Sequence, residues 1–73
     1  MRTKNPDWLY DGQIVYVNAR LVLPDIAPGT GLRCIVESAH GDHGLIVNKE
    51  RNFRRLMSRW NMWVIIEEKE KQQ

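Results

Sequence analysis

The chain has one cysteine among its 73 residues, Cys34. A lone thiol can form neither an internal disulfide nor a cysteine-based zinc site, which points to a reducing compartment. No apolar run comes near the roughly eighteen residues of a membrane span. The opening MRTKNPDWLY lacks the continuous apolar stretch of a secretory signal. The expected setting is therefore the cytoplasm, of a bacterium or of an infected bacterial cell, with no membrane partner. Repeats and low-complexity tracts are absent, and so is any motif that names a reaction. The glycine-rich PGTG at 28–31 has no Lys-Ser/Thr after it and opens no helix, so it is not a phosphate-binding loop.

What is present suits one small domain close to the lower size limit for unstapled folding. Apolar residues make up 42% of the chain and three tryptophans are among them, enough for an ordered core. The net charge is only +2, but it is unevenly spread. Residues 1–48 and 60–73 each carry a net charge of −1, whereas 49–59 carry +4. A local excess of this kind is what an electrostatic contact needs.

Residues 1–12 read as an N-terminal arm, with turn chemistry at Asn5-Pro6-Asp7 and Asp11-Gly12 around Trp8, Leu9 and Tyr10. QIVYVNARLVL, residues 13–23, is rich in β-branched residues and predicts a strand with both faces partly covered. PDIAPGTG then predicts a loop. LRCIVES and GLIVNK, separated by AHGDH, predict a hairpin in which Gly41 and Gly44 supply positive φ. Cys34, Val36 and Ser38 would share its inner face with Leu45 and Val47. MWVIIEE at 62–68 predicts the closing strand, and 69–73 a solvated tail.

The basic stretch NKERNFRRLMSRWNMW spans residues 48–63. Alternation gives it no apolar face, whereas helical spacing aligns Phe53, Leu56, Met57 and Trp60 at i, i+3, i+4 and i+7. The pattern predicts a short amphipathic helix capped by Asn48 or Asn52, with Arg51, Arg54, Arg55 and Arg59 on its wet side. The expected fold is α+β: about four strands in a small antiparallel sheet or barrel over 13–68, with one helix before the last strand. In element order, residues 12–68 resemble SH3-like small barrels, a fold that hosts many unrelated tasks.

Catalytic sets are hard to assemble. His40, Asp42 and His43 are metal-ligand types, but adjacent loop residues diverge and no fourth ligand is near in sequence. Cys34 lies in an apolar run and reads as a small buried hydrophobe. Ser38 has no orienting carboxylate pattern around it. The sequence therefore predicts a non-enzymatic binding module without a cofactor. Its candidate contact residues are Asp7, Trp8, Leu9 and Tyr10 on the arm and Arg51, Arg54, Arg55 and Arg59 on the basic segment. Trp, Tyr and Arg are the usual anchors of protein interfaces, and guanidinium groups fork carboxylate or phosphate. An acidic-aromatic arm suits a protein partner better than a phosphate backbone. A nucleic-acid module using the arginines is the alternative.

In length, single-domain layout and charge distribution, the chain resembles the small bacteriophage-encoded regulators of bacterial RNA polymerase. That resemblance implies a polymerase subunit as partner and interference with initiation or termination as mechanism. It carries over no individual site residues.

Overall fold

A computed structural model of the chain describes residues 2–21, 23 and 30–66. Six strands account for most of them: β1 (Arg2–Lys4), β2 (Ile14–Asn18), β3 (Gly31–His40), β4 (His43–Asn48), β5 (Phe53–Ser58) and β6 (Met62–Ile66). They form one antiparallel sheet in the order β1-β6-β2-β3-β4-β5. The fold is all-β, not α+β. The only helical pieces among the described residues are two 3₁₀ turns, Ala19–Leu21 and Arg59–Asn61. Of the expected small antiparallel sheet or barrel, what forms is an open sheet with β1 and β5 as its edges, and it has six strands rather than about four. The predicted loop lies outside the described residues except for Thr30 and Gly31, and so do the predicted tail and the last two residues of the predicted closing strand.

Alternation along each strand separates an inner from an outer face. The inner face gathers Val15 and Val17 of β2, Cys34 and Val36 of β3, Ile46 of β4, Met57 of β5 and Met62 of β6 into one buried cluster. β3 is the hinge of this arrangement. Its first half pairs with β2 and its second half with β4. Val36 opposes Ile46 while Ser38 opposes Leu45, so Glu37 is an extra, bulged residue. A bulge bends its strand and increases local twist, which helps one sheet bury its own inner face.

The bulge overturns the expected hairpin faces. Past Glu37 the parity of β3 switches, so Ser38 joins the outer row with Leu45, and Val47 lies on that row opposite Ile35. Gly44, Ile46 and Asn48 are the inward residues of β4. Gly41, with φ +65°, does provide the turn. Gly44 does not; it lies within β4, where a Cβ would sit 3.2 Å from Leu9 Cδ1 and 3.3 Å from Val36 Cγ1. Its missing side chain makes room for Leu9.

The basic segment is strand β5, not a helix. β4 is already paired with β3, and its free edge offers six residues of backbone ladder that β5 completes from His43↔Ser58 to Asn48↔Phe53. The buried Asn48 is the capping residue that the sequence suggests, but it caps a turn. Its Oδ1 accepts from the Arg51 amide at 2.8 Å and its Nδ2 donates to the Arg33 carbonyl at 2.8 Å. Asn52 then reverses the chain at φ 57°, a conformation that Asn tolerates. As an edge strand, β5 needs only Phe53 and Met57 facing the core. The supposed apolar stripe breaks up: Met57 is buried, whereas Leu56 is 58% exposed.

Candidate functional site

The N-terminal segment is bound into the fold at several points. β1 pairs along β6 from Arg2↔Ile66 to Lys4↔Val64. Asn5 Nδ2 donates to the carbonyls of Trp60 (3.1 Å) and Met62 (2.8 Å). Pro6 and Leu9 are buried. The side chain of Gln13, itself buried, donates to the Trp8 carbonyl at 3.3 Å and accepts from the Tyr10 amide at 3.2 Å. Asp11 Oδ1 accepts from the Ala39 amide at 2.9 Å. A backbone held this firmly leaves two rings outside it: Trp8 is 67% exposed and Tyr10 54%. They line a small concavity of about 150 Å³ with Lys4, Pro6 and Asp7, where Lys4 Nζ and Asp7 Oδ2 pair at 2.9 Å.

Arg59 joins this segment to the rest. Its side chain, only 18% exposed, donates from Nε to Asp42 Oδ1 at 2.8 Å and from Nη1 to the Pro6 carbonyl at 2.7 Å. Its guanidinium also lies 3.9 Å from the centre of the Trp60 ring, a cation–π distance. One arginine thereby ties the β3–β4 turn, the arm and the exposed Trp60 together. Trp8 and Tyr10 border one concavity, and Trp60 is tied to the same segment through Asn5 and Arg59; these three exposed rings make up the aromatic end.

The predicted contact residues are thus only partly brought together. Leu9 is core, filling the space beside Gly44. Arg59 is an anchor rather than one of a fan of exposed cations. Arg54 is paired with Glu37 at 2.8 Å. Arg51 lies in the β4–β5 turn, at the far end of β5 from Arg59, separated by a six-residue strand of about 17 Å. Arg55, on the inner side of the edge strand, is exposed. Helical spacing puts Trp60 on the core stripe, yet it is an exposed member of the aromatic end. Its position follows from the 3₁₀ turn, where Ser58 Oγ accepts from the Trp60 amide at 3.2 Å.

Among the remaining candidates, His40 Nε2 and Ser38 Oγ are hydrogen bonded at 3.0 Å, and His40 faces His43 across the hairpin. No three side chains of metal-ligand type converge among the described residues. Cys34 is buried, and its desolvation pushes the thiol up to about 11, against a smaller lowering effect from Asn48. A thiol held protonated in this way is a poor nucleophile. No helix of the described residues is long and apolar enough to cross a membrane.

A second surface, outside the contact residues expected from sequence, lies on the outer face of the sheet. Trp63 of β6 opposes Tyr16 of β2, which in turn opposes Arg33 of β3, giving one cross-strand row. Ile14, Ile35 and Ile65 flank that row and are exposed. The signal was present in IVYVN and MWVII, where residues of both parities are apolar. Such strands call for cover on both faces, and the described residues cover only one. No protein-family model matches this chain, and no curated protein or solved structure matches it significantly.

Proposed function

We propose that this protein is a non-enzymatic protein-binding domain whose docking point is the aromatic end formed by Trp8, Tyr10 and Trp60. One observation carries this reading: Trp8 and Tyr10 are exposed while the backbone that bears them is pinned by Asn5, Gln13, Asp11 and Arg59. Rings presented on an ordered backbone lose little freedom when a partner covers them. Trp, Tyr and Arg are also the residues in which binding energy concentrates. Asp7 is paired with Lys4 and Asp42 with Arg59, so Asp11 leaves only a slight negative charge beside the rings, and the preference is for a partner offering an apolar pocket.

The resemblance to small phage regulators makes a bacterial RNA polymerase subunit the first partner to test. On this reading the protein works in the cytoplasm of the bacterial or infected cell. It acts by occupying a surface needed for initiation or termination, without covalent chemistry. The test is direct binding of the full chain to purified RNA polymerase, together with capture from a nuclease-treated bacterial lysate. Stoichiometric polymerase subunits are expected on the wild-type chain. Replacing Trp8 and Tyr10 together by Ala should weaken retention by roughly thirtyfold, the effect of losing a hot spot, with the fold unchanged by circular dichroism. Absence of polymerase, or equal retention by the variant, refutes the reading.

A further inference from the structure

The outer row Trp63–Tyr16–Arg33 differs in charge from the aromatic end. The row carries a cation and no acid. Arg33 is exposed and has no side-chain partner among the described residues, while its carbonyl is fixed by Asn48 Nδ2 at 2.8 Å. The rings of Trp63 and Tyr16 are half-buried, held at the sheet and open outward. Three adjacent strands place the row's members about 10 Å from end to end. A shallow groove of about 500 Å³ adjoins the two rings, with Thr3, Asn18 and Thr30 supplying polar groups in its wall. A second, of about 530 Å³, adjoins Arg33 and reaches Lys49 in the β4–β5 turn. Arg20 stands exposed just past the end of β2, its amide held by Asn18 Oδ1 at 3.0 Å. Of the two carboxylates on the second groove, Glu37 is already engaged by Arg54.

We propose that this outer face binds single-stranded nucleic acid. Bases stack on Trp63 and Tyr16, and phosphates meet Arg33 and Lys49 on the second groove and Arg20 just past the Asn18 end of the first. Aromatic platforms beside a line of cations are the physical basis of sequence-tolerant single-strand binding. Asn18, Thr3 and Thr30 can hydrogen bond base edges within the first groove. A duplex keeps its base faces stacked inside, so it cannot use the rings. This site is distinct from the arginine cluster that the sequence draws attention to, since Arg54 and Arg59 are spent on Glu37 and Asp42. It is also independent of the protein-binding reading, because it shares no residue with the aromatic end.

The test is fluorescence anisotropy with a labelled oligouridine of about twelve nucleotides, a length within the range of single-strand site sizes, and with a duplex of equal length. Saturable binding to the single strand is expected, with a log–log salt slope of about −2 from three phosphate contacts. Arg33→Glu should lower the affinity by about tenfold. Tyr16→Leu should lower it by about tenfold or more, and Tyr16→Phe, which keeps the ring, should restore it. The variant lacking the rings of Trp8 and Tyr10 should bind as the wild type does. The proposal is overturned by no saturable binding, by equal affinity for the duplex, or by indifference to both Arg33→Glu and Tyr16→Leu. It is overturned equally if these substitutions abolish capture of a protein partner and leave oligouridine binding unchanged, since the face would then belong to that protein.

Discussion

Cys34 shows how a single side chain's surroundings set its chemistry. The thiol is buried in the core cluster, opposite Val15 of β2, with Sγ 3.5 Å from the Leu32 carbonyl. Water cannot solvate a thiolate there, so the folded thiol keeps its proton up to about pH 11, while an unperturbed one titrates near 9.0. The sign of the linkage follows. Between those two values the unfolded chain binds fewer protons than the folded one, so raising the pH favours unfolding. Below 9.0 both states are protonated and the group contributes no pH dependence. Urea denaturation across pH 8 to 11 should show wild-type stability falling by up to about 1.4 kcal/mol per pH unit more steeply than that of Cys34→Ala. The two curves should be parallel below pH 9 and converge above it. Curves that stay parallel throughout would mean the thiol is not held protonated. Arg59 makes the same point for a cation: its neighbours, Asp42 and the Pro6 carbonyl, make it a tie between segments rather than a free contact group.

Among the elements, β5 is the most instructive, because its residues satisfy one period and the fold obeys another. The helical spacing of Phe53, Leu56, Met57 and Trp60 is genuine. Yet a lone short helix would leave the second edge of β4 unpaired, and six ladder residues outweigh a narrow stripe. The two conformations make different demands at neighbouring positions. A helix buries Leu56 and Met57 alike, whereas the strand buries Met57 alone. Met57→Ala should therefore cost about 2–3 kcal/mol, and Leu56→Ala should stay within about 0.5 kcal/mol, both read from denaturant midpoints. Comparable losses at the two positions would restore the helix. β2, β4 and β6 were legible because β-branched runs between turn residues leave few alternatives. β5 was not legible, because edge strands need little apolar surface and their pairing is decided by a neighbour distant in sequence. The same holds for the faces of the β3–β4 hairpin. One bulged residue, Glu37, reverses parity, and nothing local in LRCIVES marks it. Of the candidate site, Trp8 and Tyr10 could be read as exposed aromatics. Trp60 and the Trp63–Tyr16–Arg33 row depend on register, which spacing alone does not supply.

At the scale of the molecule, β1 and β6 form a wall between the two surfaces. Thr3, Trp63 and Ile65 line the groove on its outer side, while Lys4 and Val64 line the concavity of Trp8 and Tyr10 on the other. A protein partner and a nucleic-acid strand could thus approach from opposite sides. The same wall decides whether the first twelve residues are an appendage or part of the domain. The sequence alone sets them apart as an N-terminal arm of the single domain, with the folded core over 13–68. Against that, β1 covers the edge of β6, Asn5 holds the chain entering it, Pro6 and Leu9 lie in the interior, and Arg59 has its backbone acceptor in this segment. Burial of Leu9 alone stabilises by about 2–3 kcal/mol. A domain of this size has only about 4–11 kcal/mol in total. A chain beginning at Asp11 should accordingly lose its cooperative unfolding transition in urea, whereas the full chain unfolds in a single step. If the shortened chain melted at the same midpoint, the segment would be an appendage after all. Trp8 and Tyr10 would then be carried on a tether, and the low ordering cost that favours them as a docking point would disappear with it.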